Sequence, residues 1–152
     1  MKLAEALIAR AGAKRRMEEL KIRITRNAKT QEGDAVAEEP MALIAEYERT
    51  ATQMLDLIQR INATNASTEL DETMTIADAI ARRDVLKMRQ KVYSDLAAEA
   101  TPTHSRYTRS EVRFVTTVAV ADIQKQADTL AREGRELDAR LQAANWIVDM
   151  QD

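Results

Sequence analysis

Residues 120–148 carry an apolar pattern that strongly constrains the fold. Val120, Ile123, Ala127, Leu130, Gly134, Leu137, Leu141, Ala144 and Val148 alternate in steps of three and four over four heptads. A strand would scatter this set over both of its faces, whereas a helix gathers it into one stripe. At ~1.5 Å per residue the stripe is roughly 42 Å long. It predicts a long helix with a coiled-coil-like seam. Gly134 stands in that seam where a leucine would be ordinary. It reads either as a local thinning of the seam or as a close crossing by another helix.

The same spacing recurs twice more. Leu3, Ala6, Arg10, Ala13, Met17, Leu20 and Ile24 form a heptad stripe with Arg10 as its charged member, and they predict a first helix over about residues 2–27. Ile44, Tyr47, Ala51, Met54, Ile58, Ile61 and Asn65 form another, predicting a second helix over about 40–66 that starts on Pro40, where a missing N–H costs nothing. Asn62 to Thr68 is rich in side chains that bond back to the backbone, so the helix should end there. Thr75 looks like an N-cap with Asp78 completing a capping box, and opens a third helix to about Ala100. Its apolar positions are Ile76, Ala79, Ile80, Leu86, Val92, Tyr93 and Leu96, a broader and less regular face, and Pro102 closes it.

Two stretches break the pattern. Lys29 to Glu39 has no period and contains Gly33-Asp34, which reads as a loop. Ser105–Thr108 and Val112–Thr116 are β-branched or aromatic around a short polar link, which predicts a β-hairpin or strand at about 105–118. The expected architecture is therefore mainly all-α. Four long amphipathic helices should form an antiparallel helical hairpin or bundle with coiled-coil-like seams, within a single helical domain spanning 1–152. Composition agrees: 3 Gly, 2 Pro and 3% aromatic residues suit helices better than a sandwich or barrel.

Few catalytic plans survive. The chain has no cysteine, which removes disulfides and thiolate chemistry. Its one histidine, His104, has no glutamate three residues before it, so the paired Glu-x-x-His ligands of a di-iron bundle are missing. Glu133 and Glu136 make one Glu-x-x-Glu pair of the kind that a magnesium-dependent helical pyrophosphatase would need, but Arg132 and Arg135 interleave and no second cluster follows, so a salt-bridged outer face is the favoured reading. No nucleophile elbow or phosphate-binding glycine loop is present. The expectation is a protein that is not an enzyme and uses no cofactor or metal.

Charge is distributed in blocks. Residues 1–27 hold 8 Lys/Arg against 3 Glu, and residues 28–75 hold 3 against 10 acidic side chains. The favoured reading is a basic helix lying against an acidic one; the other is a basic face for nucleic acid. Lys14, Arg15, Arg16, Lys21, Arg23 and Arg26 make up the first group, and Arg106, Arg109 and Arg113 a second beside Tyr107 and Phe114. The candidate polar or basic interaction surface comprises Arg15, Arg16, Arg23, Arg26, Asn27, Gln31, Glu32, Asn62, Asn65 and Arg113. Ordinary capping and turn chemistry is the competing explanation for the loop 26–34 and the Asn62–Asn65 segment. The start of the chain does not read as a signal peptide, and no run approaches the ~18 apolar residues of a membrane span. A cytoplasmic protein is expected.

Four stretches carry a resemblance: Met1 to Leu7, Arg26 to Gly33, Arg60 to Asn65, and Gln124 to Asp128 leading to Asn145-Trp146. Together they resemble a small bacterial family of uncharacterised helical proteins, some of whose members are labelled septicolysin, a name implying a pore-forming toxin. The resemblance covers nearly the whole chain and supplies no site residues. The function expected from the residues themselves is a non-catalytic, self-associating helical interaction or scaffold protein forming a homo-oligomer. A nucleic-acid-associated protein using the basic face of the first helix and a membrane-active toxin are the alternatives.

Overall fold

Helix boundaries in the chain follow local chemistry closely. The computed structural model describes residues 1–101 and 113–151, and contains helices α1 (Leu3–Arg26), α2 (Pro40–Ser67), α3 (Ile76–Ala100) and α4 (Val120–Ile147), with a small antiparallel pair β1 (Glu69–Asp71) and β2 (Met74–Thr75) between α2 and α3. The fold is mainly all-α, as its spacing predicts. The chain divides into two compact units, Met1–Glu69 with Gln142–Asp152, and Leu70–Leu141.

In the first unit α1 and α2 pack as an antiparallel hairpin. Arg16 meets Glu46 of α2 and Arg23 meets Glu38 just ahead of α2, so positions descend through the second arm as they rise along α1. Leu3, Ala6 and Leu20 of α1 and Leu43 and Ile61 of α2 are buried. The hairpin loop is tied at its base by Asn27, whose Nδ2 donates to the Arg23 carbonyl at 2.9 Å and whose Oδ1 accepts the Glu38 N–H at 3.1 Å. At the tip the Asp34 N–H donates to the Gln31 carbonyl at 3.0 Å, and Gly33 has a φ of +91°. A type II turn needs that left-handed value at its third position, which is why a glycine stands there.

The free ends of this unit are joined by a short antiparallel pairing. The Leu3 N–H donates to the Val148 carbonyl and the Met150 N–H to the Met1 carbonyl, both at 2.9 Å, around a bridge between Lys2 and Asp149. Lys2 Nζ also donates to the Ile147 carbonyl at 2.9 Å. This puts a cation on the last carbonyl of α4, where the helix dipole favours positive charge.

In the second unit Asp71 Oδ1 accepts the N–H groups of Thr73 at 2.8 Å and Met74 at 3.1 Å, an Asx-type turn that folds β1 back on β2. Thr75 then caps α3: its N–H donates to Asp78 Oδ2 at 3.0 Å and its Oγ1 accepts the Asp78 N–H at 3.2 Å. Asp71 ahead of α3 pairs with Arg140, Arg83 with Asp138 at 3.2 Å, and Gln90 lies in a groove with Leu130, so α3 and the 120–141 part of α4 run antiparallel. Every position of the α4 seam is buried or half-buried, Gly134 included.

Two expectations for this region are corrected. Residues 113–116, assigned to the second strand of the hairpin at 105–118, have no regular secondary structure. A strand exists through its pairing rather than through β-branched composition alone, and Phe114 and Val115 are exposed to solvent. The rest of that hairpin, residues 105–112, lies outside the described residues, as does His104. Along α3, Val92 and Leu96 face solvent; the inward stripe is Ile76, Ala79, Arg83, Leu86, Gln90, Tyr93 and Ala97, with an arginine and a glutamine at seam positions.

Candidate interaction surface

The basic face of α1 is partly neutralised by α2, because two of its arginines sit on the side that packs. Arg16 Nε donates to Glu46 Oε1 at 2.8 Å, and its Nη1 lies 2.9 Å from Glu19. Arg23 pairs with Glu38 through two nitrogens and also reaches Glu19 at 3.5 Å. Both guanidinium pKa values are raised, chiefly by the hydrogen bonds from Arg16 to Glu46 and from Arg23 to Glu38, and the Glu38 carboxyl is held below its ordinary range by Arg23. This is the arrangement that opposite charge blocks adjacent in sequence predict. Lys14, Arg15, Lys21 and Arg26 remain exposed, with no ion pair among the described residues.

The other residues singled out from the sequence do not converge. Asn27 is committed to closing the loop, and Gln31 and Glu32 are exposed at the hairpin tip. Asn62 is exposed and Asn65 half-buried near the other end of α2, roughly 33 Å of helix away from Pro40. Arg113 is exposed and belongs to the second unit; Arg106, Arg109 and Tyr107 lie outside the described residues.

The built polar position at the end of α2 is Thr64, one residue from the asparagine that the heptad count selects. Thr64 is fully buried. Its hydroxyl donates to the Arg60 carbonyl at 2.8 Å and accepts the Gln151 N–H at 3.0 Å. Arg60 Nε donates to the Gln151 carbonyl at 3.0 Å, and Gln151 Nε2 to Ser67 Oγ at 2.7 Å. These bonds strap residues 150–151 to α2, and they use ordinary structural chemistry. The only sequence cue to Thr64 is its spacing of three from Ile61.

The second unit has two features of its own. An open groove of about 390 Å³ runs along α3 and α4, with Leu86, Leu130, Ala131 and Gly134 on its floor and Lys87 and Arg135 at its rim. A Cβ added to Gly134 would meet nothing within 4 Å, so the glycine thins the seam and no element among the described residues crosses closely there. Beneath the groove Arg83 bridges Asp84 and Asp138. Burial pulls its pKa down, and the two carboxylates together outweigh burial and leave it above the usual value. Nearby, Arg140 holds Asp71, whose carboxyl lies well below the ordinary range because of that bond and the two from Thr73.

The last feature is the outward face of α3. Val85, Met88, Val92 and Leu96 stand at heptad-like spacing and are 53%, 70%, 66% and 39% exposed. Singly exposed apolar residues are normal; four in register on a helix whose opposite face already builds a core are not. Among the described residues no three His, Asp or Glu side chains converge on a metal-sized site. Glu133 and Glu136 are exposed on α4, and both border a second, smaller depression beside Arg82 and Arg140.

A family model matches residues 10–150 of this chain. The chain belongs to that family, described as a family of unknown function (DUF6847). A crystal structure of a functionally unknown conserved protein from Corynebacterium diphtheriae is 45% identical to it, covers 99% of both chains and superposes with a TM-score of 0.95. No curated protein matches the chain. This chain thus shares its fold end to end with that protein, and neither description names an activity.

Proposed function

We propose that the chain is a non-catalytic, self-associating helical interaction protein of the bacterial cytoplasm. The observation that carries this reading is the exposed stripe of Val85, Met88, Val92 and Leu96 on α3. Removing large apolar side chains from water stabilises association by roughly 25 cal/mol per Å² of buried apolar surface, before the cost of association is subtracted. A helix that is apolar on two faces has one face for its own unit and one for a partner. Sedimentation velocity at micromolar concentration tests the idea. An oligomer is expected, and a strict monomer removes the reading.

A second reading is favoured by four exposed cations on α1 that form no ion pair among the described residues: Lys14, Arg15, Lys21 and Arg26. Such a group would bind a polyanion such as nucleic acid with strong salt dependence. Titration with RNA and DNA at low ionic strength tests it; no binding there rules it out. Dye release from anionic liposomes tests the pore-forming role that the septicolysin resemblance implies. No helix among the described residues is long and apolar enough to cross a membrane.

A further inference from the structure

Four exposed charges that border the α3 stripe are sorted by sign. At ~100° per residue, Arg82 and Arg89 lie about 40–60° to one side of Val85, and Asp84 and Asp95 about 80–100° to the other. Arg82, Asp84, Arg89 and Asp95 are all exposed. Lys91 lies farther round on the acidic side, where it pairs with Asp95 at 2.9 Å. Asp84 accepts from Arg83, which approaches it from the packed side of the helix. Asp78 and Glu99 fall at the two ends of the stripe.

Resting on the self-association reading, we infer that α3 pairs in parallel with α3 of a second copy about a two-fold axis, the apolar stripe forming the seam. Charge complementarity selects both the occupant and its direction. When two copies of a helix pair in parallel, each edge of one faces the opposite edge of the other. The Arg82 and Arg89 edge of each copy then meets the Asp84 and Asp95 edge of its partner, on both sides of the seam. Antiparallel pairing brings like edges together, arginine to arginine and aspartate to aspartate, which is destabilising. The seam itself is self-complementary. Val85, Met88 and Val92 of one copy lie level with the same residues of the other, as a two-fold interface requires. Asp84 reaches Arg89 of the second copy, five residues further along the seam.

The chain has no cysteine, so the pairing can be read cleanly by disulfide formation. Val85→Cys and Leu96→Cys are made singly, and each is oxidised alone and as an equimolar mixture. The two positions are roughly 16 Å apart along the helix. Parallel pairing predicts that each variant cross-links with itself. Cross-linking only in the mixture means antiparallel pairing and overturns the inference. Val92→Glu places two carboxylates in the seam and should weaken the dimer on the order of a hundredfold or more, with helicity by circular dichroism unchanged because Val92 is 66% exposed. An oligomer that Val92→Glu leaves intact keeps the self-association reading and overturns the α3 interface. A monomeric wild-type chain overturns both, and a trimer or larger assembly overturns the two-fold pairing. Arg89→Glu should also weaken the dimer, and Asp84→Arg in the same chain should restore it; absence of rescue removes the charge argument for direction.

Discussion

The backbone N–H of Gln151 donates to the hydroxyl of Thr64 at 3.0 Å, across 87 residues of sequence. Thr64 is fully buried, and its hydroxyl also donates to the Arg60 carbonyl. One side chain thus accepts from the end of the chain and donates to its own helix. Its bonds to residue 151 act together with the pairing of Lys2 and Asp149 to hold residues 148–151 between the start of α1 and the end of α2.

Replacing Thr64 by valine keeps the shape and removes the acceptor. The Gln151 N–H is then left without its partner in a part-buried position, at a cost of about 1–3 kcal/mol. Urea denaturation should show that loss for Thr64→Val and a much smaller one for Thr64→Ser. Equal stability of the valine variant and the parent would mean that the strap contributes nothing.

Acid should destabilise the chain through Glu38, Asp71 and Asp78, whose carboxyls all lie below their ordinary values. Arg23 holds the first, Arg140 and Thr73 the second, and the backbone and hydroxyl of Thr75 the third. Each binds its proton more weakly folded than unfolded, so the unfolded state takes up more protons and stability rises with pH across that interval. The contribution is whole above the unfolded carboxylate pKa of about 4, and is lost as pH falls through the folded values. Melting temperature measured from pH 6 down to pH 2 should therefore fall, and Asp71→Asn should flatten the slope. A slope unchanged by Asp71→Asn would assign the acid sensitivity to other groups.

Gly134→Ala should stabilise the second unit. The added Cβ meets nothing within 4 Å, and alanine is better than glycine in a helix interior by about 0.8–1.0 kcal/mol. Guanidinium unfolding should show a gain of up to about that size. A loss would show that something outside the chain sits close to residue 134, the crossing that the sequence pattern left open.

Raising ionic strength should matter little to the packing of α1 on α2. The ion pairs of Arg16 with Glu46 and of Arg23 with Glu38 are partly exposed, and exposed pairs are weak and screened by salt. Melting curves at about 0.05 and 0.5 M NaCl should nearly coincide. A large drop at high salt would mean that charge pairing, rather than the buried Leu20, Leu43 and Ile61, holds the hairpin together.

What was legible from the sequence was what neighbours in sequence decide. The start of α2 on Pro40, the Thr75–Asp78 box, the end of α1 at Asn27 and the inward stripe of α4 rest on contacts a few residues apart. The pairing of basic α1 with the acidic stretch that follows it was legible too, because the chain turns back after α1 and lays Glu38 of the loop and Glu46 of α2 against Arg23 and Arg16. The β1–β2 turn went unseen, although Asp71 followed by Thr73 carries an Asx-turn cue, because two such short strands leave almost no alternation to detect. Of the candidate surface, Asn27 serves the end of α1 and Arg16 and Arg23 pair with glutamates, while two members of the outward face of α3, Val92 and Leu96, stood among its apolar positions without a side assigned to them.

That face shows the limit most clearly. Spacing alone determined that residues 76–100 form a helix with apolar residues on more than one side. It could not say which side packs, since Val92 and Tyr93 are equally apolar candidates one residue apart. Tertiary structure decided it: α4 meets the side carrying Arg83, Leu86 and Gln90, where Asp138 offers the arginine a partner, and leaves Val85, Met88 and Val92 in solvent. Helix formation depends on bonds four residues apart, whereas the choice of buried face depends on side chains far away in sequence, such as Asp138 for Arg83.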